Sequence, residues 1–224
     1  MRPVILKRVD ATRWTDPLAS MFRPPPALHA WRMGHALALR GLATPRPLAV
    51  WHRSRCGLPT TGYLLMDRLP EARTLLDHLR AGGEKRGVLH ELGRLIRRLH
   101  AWHLSHRDLK AANILVSPAR PVMGARGLER AESDGKQHVW LCDLAGVRRH
   151  PGISEARRVR DLARLAASFL VEPSLSLTDR LRFLGSYLNA GLRGIRGWKS
   201  WWKRIALAAE AKRDSNRRRG RVLG

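Results

Sequence analysis

Three side chains that lie close together in the sequence have the chemistry needed to transfer a phosphoryl group. Asp108 is a carboxylate that could accept the proton of an attacking hydroxyl, and Lys110 could neutralise negative charge on the transferred group. Asn113 offers a neutral oxygen of the kind that binds Mg²⁺. A second carboxylate, Asp143, could hold the same ion. These residue types predict a Mg²⁺-dependent transfer to an alcohol.

The elements around these residues could bring the side chains together. Residues 86–104 form the clearest predicted helix, with apolar side chains at the spacing of one helical face: Leu92, Leu95, Ile96 and Leu99. A loop over 105–113 follows. Two short apolar segments, 114–116 and 139–142, have the pattern of hairpin strands, which would place Asn113 beside Asp143. The polar segment 117–138 between them is predicted to be a flexible insertion.

The rest of the chain predicts an α+β fold, with a small sheet part followed by a larger helical part. Within residues 1–68, the patterns predict a loop over 10–26, a helix over 27–40 that Gly41 ends, and strands over 4–9, 48–51 and 62–67. Within residues 69–224, further helices are predicted over 69–79, 155–171, 179–192 and 199–212. The basic run 212–221 has the composition of a solvated end.

The charge balance indicates an anionic partner. The chain of 224 residues has 43 Lys and Arg against 18 Asp and Glu, a net charge of +25. Nucleic acid, an acidic membrane face and a phosphorylated substrate would all be attracted. Neither a zinc-finger spacing nor an RNA-recognition signature occurs in the sequence, so nucleic acid is the least favoured of the three.

Cysteine usage and hydropathy predict the compartment. The two cysteines, Cys56 and Cys142, cannot form a disulfide framework and fit a reducing cytosol. No apolar run has the length of a membrane-spanning helix, and the N-terminal residues lack the apolar stretch of a signal peptide. A cytoplasmic protein is therefore expected, with peripheral contact to the inner face of the membrane as a second feature. The oligomeric state is not indicated.

Residues 106–113, His-Arg-Asp-Leu-Lys-Ala-Ala-Asn, match the catalytic-loop motif H-R-D-L-x-x-x-N of the protein-kinase superfamily at every fixed position. Residues 143–146, Asp-Leu-Ala-Gly, stand where that superfamily has D-F-G. The resemblance implies a two-lobed fold, ATP and Mg²⁺ as cofactors, Asp108 and Lys110 as catalytic residues, and Asn113 and Asp143 as metal ligands. Lys7 in VILKRV resembles the lysine that binds the α- and β-phosphates, and Met66, Asp67 and Leu69 occupy the hinge that contacts adenine.

Within the superfamily, the sequence is most similar to the lipopolysaccharide kinases, which phosphorylate Kdo or heptose sugars of the inner core. The similarity is carried by residues 30–47, 63–79, 99–116, 179–188 and 201–206. It implies an anionic glycolipid or sugar as acceptor, which the net charge would suit. Fewer than ten residues separate Gly146 from the helix predicted near Glu155, and no A-P-E motif follows. A peptide-docking segment has little room there, so a protein kinase is a less favoured interpretation.

The sequence also departs from the kinase pattern. No glycine-rich loop precedes Lys7, so the N-terminal lobe is expected to be truncated or the gene start to be placed too late. Between Asp16 and Asp67 there is no carboxylate to pair with Lys7, and Ala30 stands where a glutamate is expected. These departures leave a second function open, a weakly active or inactive nucleotide-binding scaffold. A basic nucleic-acid-binding protein is a third, but it does not explain the motif.

Smaller expectations concern residues around the motif. His103 replaces the glycine that usually precedes the loop and should adopt a left-handed backbone. His106 is expected to pack rather than act as a base. Asp161 would either accept N–H groups of the loop or be a surface charge. The tryptophans Trp198, Trp201 and Trp202 would be core residues or, in the second interpretation, would enter a membrane interface.

Overall fold

The structure is a computed structural model that describes residues 3–10, 24–56, 58–124, 127–170, 172, 174–189, 197–218 and 220. Most of the loop predicted over 10–26 lies outside these residues. Within them, strands predominate towards the N-terminus and helices towards the C-terminus, which is the order that the sequence predicts.

A three-stranded antiparallel sheet forms the first part. It contains β1 (Val4–Asp10), β2 (Pro47–Arg55) and β3 (Leu58–Asp67) in the order β1-β3-β2. Strands β2 and β3 are longer than the sequence indicates. In this register Lys7 lies opposite Leu64. Helix α1 (Pro26–Leu39) packs on the sheet and ends before Gly41, whose φ of 65° is accessible to glycine.

The helix that leads to the predicted catalytic loop is α3 (Arg86–Ala101), preceded by β4 (Arg73–Thr74) and the short α2 (Leu75–Arg80). Helix α2 is shorter than the predicted span 69–79 and begins where the side chain of Thr74 accepts a hydrogen bond from the Asp77 N–H. Helix α3 buries the predicted apolar face: Leu92, Leu95, Ile96 and Leu99 are at most 5% exposed. This face anchors the start of the loop to the core.

A long hairpin follows the loop. Its strands β6 (Ile114–Gly124) and β7 (Gly127–Leu141) pair Ile114 with Leu141 at the end nearest the site. The hairpin itself was predicted, but its strands run much further than the predicted 114–116 and 139–142. Most of the segment 117–138 is therefore strand. The pairing shifts register between Ser117 and Ala119, around Pro118, which lacks an N–H for the ladder.

The C-terminal part is helical, as predicted. Helices α4 (Glu155–Ala167) and α5 (Leu177–Leu188) end a few residues earlier than expected. Helix α6 (Trp198–Arg218) extends through much of the basic run predicted to be a solvated end. Its Trp201 and Trp202 pack against the main core cluster, which supports the interpretation of these two residues as core.

Candidate active site

The loop carrying the three chemical side chains is held between two short strands. Strand β5 (Leu104–His106) pairs with β8 (Val147–Arg149), and the Arg107 N–H donates to the Gly146 carbonyl over 3.0 Å. The loop therefore lies directly beside the Asp-Leu-Ala-Gly turn. A single 3₁₀ turn, Ala111–Asn113, then leads into β6. The two motifs are far apart in sequence. They meet because the hairpin strands β6 and β7 are paired and because β5 is paired with β8.

Asp108 is the one carboxylate in the loop 105–113, and 57% of its side chain is exposed. The Asn113 Nδ2 donates to the Asp108 main-chain carbonyl (2.8 Å) and to the carboxylate Oδ2 (3.0 Å). The Lys110 Nζ lies 3.8 Å from the same Oδ2. Asp108, Lys110 and Asn113 are thus brought together as predicted. These neighbours hold Oδ2, whereas Oδ1 has no hydrogen-bond partner within the described ranges.

Asp143 is joined directly to the N-terminal sheet. Its Oδ1 accepts a hydrogen bond from the Lys7 Nζ at 2.6 Å, and both side chains are little more than one third exposed. Asp143 has a φ of 53°, which a non-glycine residue adopts at a cost and which is concentrated at functional sites. Lys7 and Asp143 thus form one ion pair across the two parts of the fold.

His106 connects the two motifs from beneath. Its ring is fully buried, with Nε2 placed 3.3 Å from the Cys142 carbonyl and Nδ1 3.3 Å from the Asp108 N–H. Burial lowers the pKa of His106, so the ring is neutral at pH 7. A neutral ring protonated on Nε2 satisfies both contacts. His106 is therefore a structural residue rather than a base, as expected.

Two further expectations about the loop are confirmed. His103 has a φ of 55°, the left-handed conformation predicted for the position of the missing glycine. Asp161 is not a surface charge: it is 1% exposed, and its Oδ2 accepts the His106 N–H over 2.8 Å. Its Oδ1 accepts from Arg164 at 2.8 Å. A carboxylate on α4 thus fixes the backbone two residues before Asp108.

The pocket that Lys7 and Asp143 line is also lined by α1. Ala30, which stands at the expected glutamate position, is 7% exposed and faces this pocket. In the described part of the chain, Lys7 pairs with Asp143 and not with a carboxylate of α1. The Cys142 thiol also lines the pocket, and burial raises its pKa to about 11, which keeps it protonated.

Helix α1 reaches the site by a different contact. The His29 Nε2 lies 2.7 Å from the Val147 carbonyl, immediately after the Asp-Leu-Ala-Gly turn. Burial lowers the pKa of His29, and the same Nε2 also contacts the Arg148 guanidinium, which can only donate. No sequence pattern indicates this link, because a lone histidine on a helix is usually a packing residue.

The three predicted hinge residues differ in position. Met66 lines the pocket with Lys7 and Asp143. Asp67 lies at the end of β3, where its N–H donates to the Arg46 carbonyl and its carboxylate pairs with Arg46 Nε, both at 3.0 Å. Leu69 is 3% exposed in a small separate core cluster. Of the three, Met66 alone is among the residues that line the pocket.

The donor set suits a magnesium ion. The Asn113 Nδ2 donates to Asp108, whereas the Asn113 Oδ1 has no hydrogen-bond partner among the residues that the structure describes. The Asp143 Oδ2 is also without one among those residues. One carboxylate and one amide oxygen are a typical protein contribution to a Mg²⁺ site that substrate phosphates and water complete. Asn113 and Asp143 could therefore hold the ion.

Two buried residues behind the loop were missed from the sequence. His100 on α3 places Nε2 3.4 Å from the Asp161 Oδ2, and its Nδ1 lies 2.8 Å from the Tyr187 hydroxyl on α5. In the sequence, His100 and Tyr187 look like ordinary residues of two predicted helices. The partners of His100 are 61 and 87 residues away, so no local spacing could have indicated them.

Curated relatives are similar to part of this chain. A 3-deoxy-D-manno-octulosonic acid kinase of Xanthomonas campestris pv. campestris (strain B100) is 39% identical over 142 residues, which are 62% of this chain and 48% of that protein. The protein of the same name from Photobacterium profundum is 32% identical over 136 residues, 61% of this chain and 49% of the relative. The chain thus spans about half the length of the curated relatives it matches.

Solved structures share the fold. The structure described as WaaP in complex with acyl carrier protein superposes with a TM-score of 0.65 at 21% identity, over 94% of this chain and 80% of that one. A co-crystal structure of WbdD and the kinase inhibitor LY294002 gives a TM-score of 0.50 at 19% identity, over 92% of this chain and 42% of that one. The predicted kinase-like fold is confirmed. The profile of the lipopolysaccharide kinase (Kdo/WaaP) family matches residues 15–187, and the chain belongs to that family.

Proposed function

We propose that this protein is an ATP- and Mg²⁺-dependent kinase that phosphorylates a hydroxyl of a lipopolysaccharide core sugar, Kdo or heptose, or of a similar glycolipid. The observation that carries the proposal is the meeting of two loops, one with Asp108, Lys110 and Asn113 and the other with Asp143, beneath Lys7. This arrangement would supply a base, positive charge for a phosphoryl group and two metal ligands.

Each side chain has a role that its contacts support. The Asp108 Oδ1 would accept the proton of the acceptor hydroxyl while Asn113 holds Oδ2. Lys110 would lie near the transferred phosphoryl group, and Lys7 would bind nucleotide phosphates. Mg²⁺, held by Asn113 and Asp143, would neutralise charge on the phosphates. The backbone near Met66 would contact adenine, with Asp67 and Leu69 supporting that segment from the sheet and the core.

The acceptor class rests on three observations. Two relatives that match 62% and 61% of this chain are named as kinases of 3-deoxy-D-manno-octulosonic acid, an acidic sugar. The net charge of +25 would attract such an acceptor. Only β8 and a few further residues separate Gly146 from α4, which begins at Glu155, so there is little surface for a peptide.

Attachment to an anionic membrane face at the cytoplasmic side would bring this enzyme to a glycolipid. None of the helices in the described ranges is long and apolar enough to cross a bilayer. Contact would then be peripheral and driven by Lys and Arg.

The test is phosphate transfer from Mg·ATP to a Kdo-bearing lipid A precursor and to a heptose-bearing one, by purified protein. Asp108→Asn and Asp143→Asn are each expected to lower turnover by about 100-fold or more. Only Asp143→Asn should also abolish metal-dependent ATP binding. Asp214→Asn, on an exposed position of α6, is the matched control and should behave as wild type.

Absence of transfer to either acceptor by wild type would contradict the proposed substrate. Binding of Mg·ATP without any turnover would instead favour a nucleotide-binding scaffold, the interpretation that the missing carboxylate on α1 leaves open. Loss of ATP binding in Asp108→Asn, with Asp143→Asn unaffected, would contradict the assigned roles.

A further inference from the structure

A chain of buried hydrogen bonds runs from α5 to the catalytic loop. The Tyr187 hydroxyl lies 2.8 Å from His100 Nδ1, His100 Nε2 lies 3.4 Å from the Asp161 Oδ2, and the same Oδ2 accepts the His106 N–H at 2.8 Å. The four residues are at most 4% exposed. Three different helices and the loop therefore share one continuous polar path inside an otherwise apolar core.

The chemistry of the groups fixes the direction of these bonds. The Asp161 Oδ2 accepts the His106 N–H, and His100 donates Nε2–H to the same oxygen. In the tautomer that carries its proton on Nε2, Nδ1 has a lone pair, and the Tyr187 hydroxyl donates to that atom. Burial raises the pKa of Tyr187, which keeps the hydroxyl protonated. The charged groups of Arg158, Glu155 and Asp161 on α4 are near enough to the Tyr187 hydroxyl to influence its pKa.

The position of Tyr187 is set by close packing of α5 on α3. A Cβ added at Gly93 would lie 2.7 Å from the Ser186 Cβ and 2.8 Å from the Phe183 carbonyl oxygen, so only glycine permits this approach. The other side of the Tyr187 ring meets Trp201 of α6, with ring centroids 5.9 Å apart. The hydroxyl is therefore placed by helices that carry none of the catalytic side chains.

We propose that Tyr187 is a positioning residue for Asp108: through His100 and Asp161, its hydroxyl holds the backbone of the loop in the orientation needed for transfer. The inference rests on the proposed function, since it assumes that Asp108 is the base. Removing the hydroxyl leaves His100 Nδ1 unsatisfied in the core, which loosens the His100 ring and weakens its grip on Asp161. The loop then samples orientations in which Asp108 is misplaced.

The experiment compares Tyr187→Phe with Tyr63→Phe. These are the two tyrosines of the chain, and the same atom is removed from each. Tyr63 lies on β3, where it stacks on Trp51, and it is not part of the chain of buried hydrogen bonds. Tyr187→Phe is expected to lower kcat about 3- to 10-fold with the KM for ATP unchanged, because one buried hydrogen bond is lost and no nucleotide contact is touched. Tyr63→Phe should leave both constants unchanged.

Amide hydrogen exchange of the peptide 104–109 supplies a readout that does not depend on activity. Tyr187→Phe should accelerate exchange of the His106 amide several-fold, while peptides from the N-terminal sheet remain as in wild type. In a His100→Asn background, Tyr187→Phe should have no further effect on kcat or on this exchange, because the path is already interrupted. If His100→Asn does not fold, the comparison of Tyr187→Phe with wild type still tests the proposal.

Equal kcat and equal His106 exchange in Tyr187→Phe and wild type would overturn the proposal. Faster exchange spread evenly over the helical part, with kcat unchanged, would also overturn it and leave Tyr187 as a packing residue. Absence of phosphate transfer in wild type would contradict the proposed function, whereas the exchange result would still decide whether Tyr187 holds the loop.

Discussion

Asp161 is the single residue on which the geometry of the catalytic loop depends most. It is 1% exposed and bonded to a main-chain N–H, to Arg164 and to His100. We predict that Asp161→Ala lowers the free energy of unfolding by about 3 kcal/mol, because it leaves these donors without their acceptor. Urea unfolding would measure the change.

The control for this prediction is Asp214→Ala. Asp214 pairs with Arg213 on α6, where 53% of its side chain is exposed. Exposed pairs contribute little, so the variant should lie within about 0.5 kcal/mol of wild type. If Asp161→Ala cost no more than this control, Asp161 would not anchor the loop.

The Lys7–Asp143 ion pair leads to a second prediction at the residue scale, which concerns Mg²⁺ and ATP affinity. Without a nucleotide, the lysine both neutralises Asp143 and repels a divalent cation. Lys7→Met should therefore raise the Mg²⁺ affinity of the nucleotide-free protein about twofold to fivefold. The same variant should weaken ATP binding at least about tenfold, because a charged donor to the phosphates is lost. Calorimetric titration measures both constants.

Arg8→Met is the matched control, since Arg8 is the next residue of β1 and its side chain leaves the opposite face. Its pairing with Asp10 is exposed, and neither affinity should change. A parallel loss of Mg²⁺ and ATP binding in Lys7→Met would show that Lys7 supports the metal site instead of competing with it.

The predictability of the site also differs from residue to residue. Asp108, Lys110 and Asn113 could be identified because they share one local motif whose spacing reflects its chemistry. Asp143 could be identified because a hairpin explains how it returns to the loop. Tyr187 and His100 could not, because their contact depends on the crossing of two helices and neither residue has a neighbour in sequence that signals it.

Among the elements, α3 and α5 cross at a close distance beside Gly93. The Cβ of Gly93→Ala would approach two backbone atoms within 2.9 Å, Phe183 O and Tyr187 N. Helices would have to separate, so we predict a loss of about 1–3 kcal/mol in the free energy of unfolding despite the better helix propensity of alanine. Thermal or urea unfolding would detect it.

Gly87→Ala on the same helix is the control. Its Cβ would lie 2.8 Å from the Glu84 carboxylate, which accepts the Gly87 and Val88 N–H groups and can shift at the cost of part of these two hydrogen bonds. Stability should therefore stay within about 1 kcal/mol of wild type or rise. Equal costs for the two substitutions would mean that the crossing at Gly93 is not tight.

The elements were predictable to different degrees. Helices α3, α4 and α5 follow their apolar periodicity, so the sequence located them to within a few residues. Strands β6 and β7 were underestimated because strand pairing stabilises polar segments that have no apolar alternation to reveal them. Helix α6 extends through residues whose charges suggested a solvated end, since basic residues are compatible with a helix.

For the whole molecule, the histidines predict how stability depends on pH. Burial lowers the pKa of His29, His35, His52, His106 and His150 in the folded state. Above about pH 7.5 these rings are neutral in both states, so stability should be nearly constant. Below it the unfolded chain binds protons that the folded chain does not, and stability should fall towards about pH 5.

Melting temperatures at intervals between about pH 8 and about pH 5 test this prediction. High salt is the control, because it screens repulsion among surface charges and leaves the desolvation of buried rings unchanged. A melting temperature that rises as the pH falls through this range, or a decline that high salt abolishes, would contradict a role for these five histidines.

Net charge is the other property of the whole molecule that makes a prediction, and it concerns membrane attachment. Trp201 and Trp202 pack against the core, so insertion of these rings is not available to anchor the protein. Attachment would rest on Lys and Arg, each contributing roughly 1 kcal/mol near an anionic surface. We therefore expect cosedimentation with vesicles containing anionic lipid at about 50 mM salt, release at about 500 mM, and little binding to neutral vesicles. Binding that persists at high salt, or that is equal for both vesicles, would show an apolar contact and contradict the electrostatic mechanism.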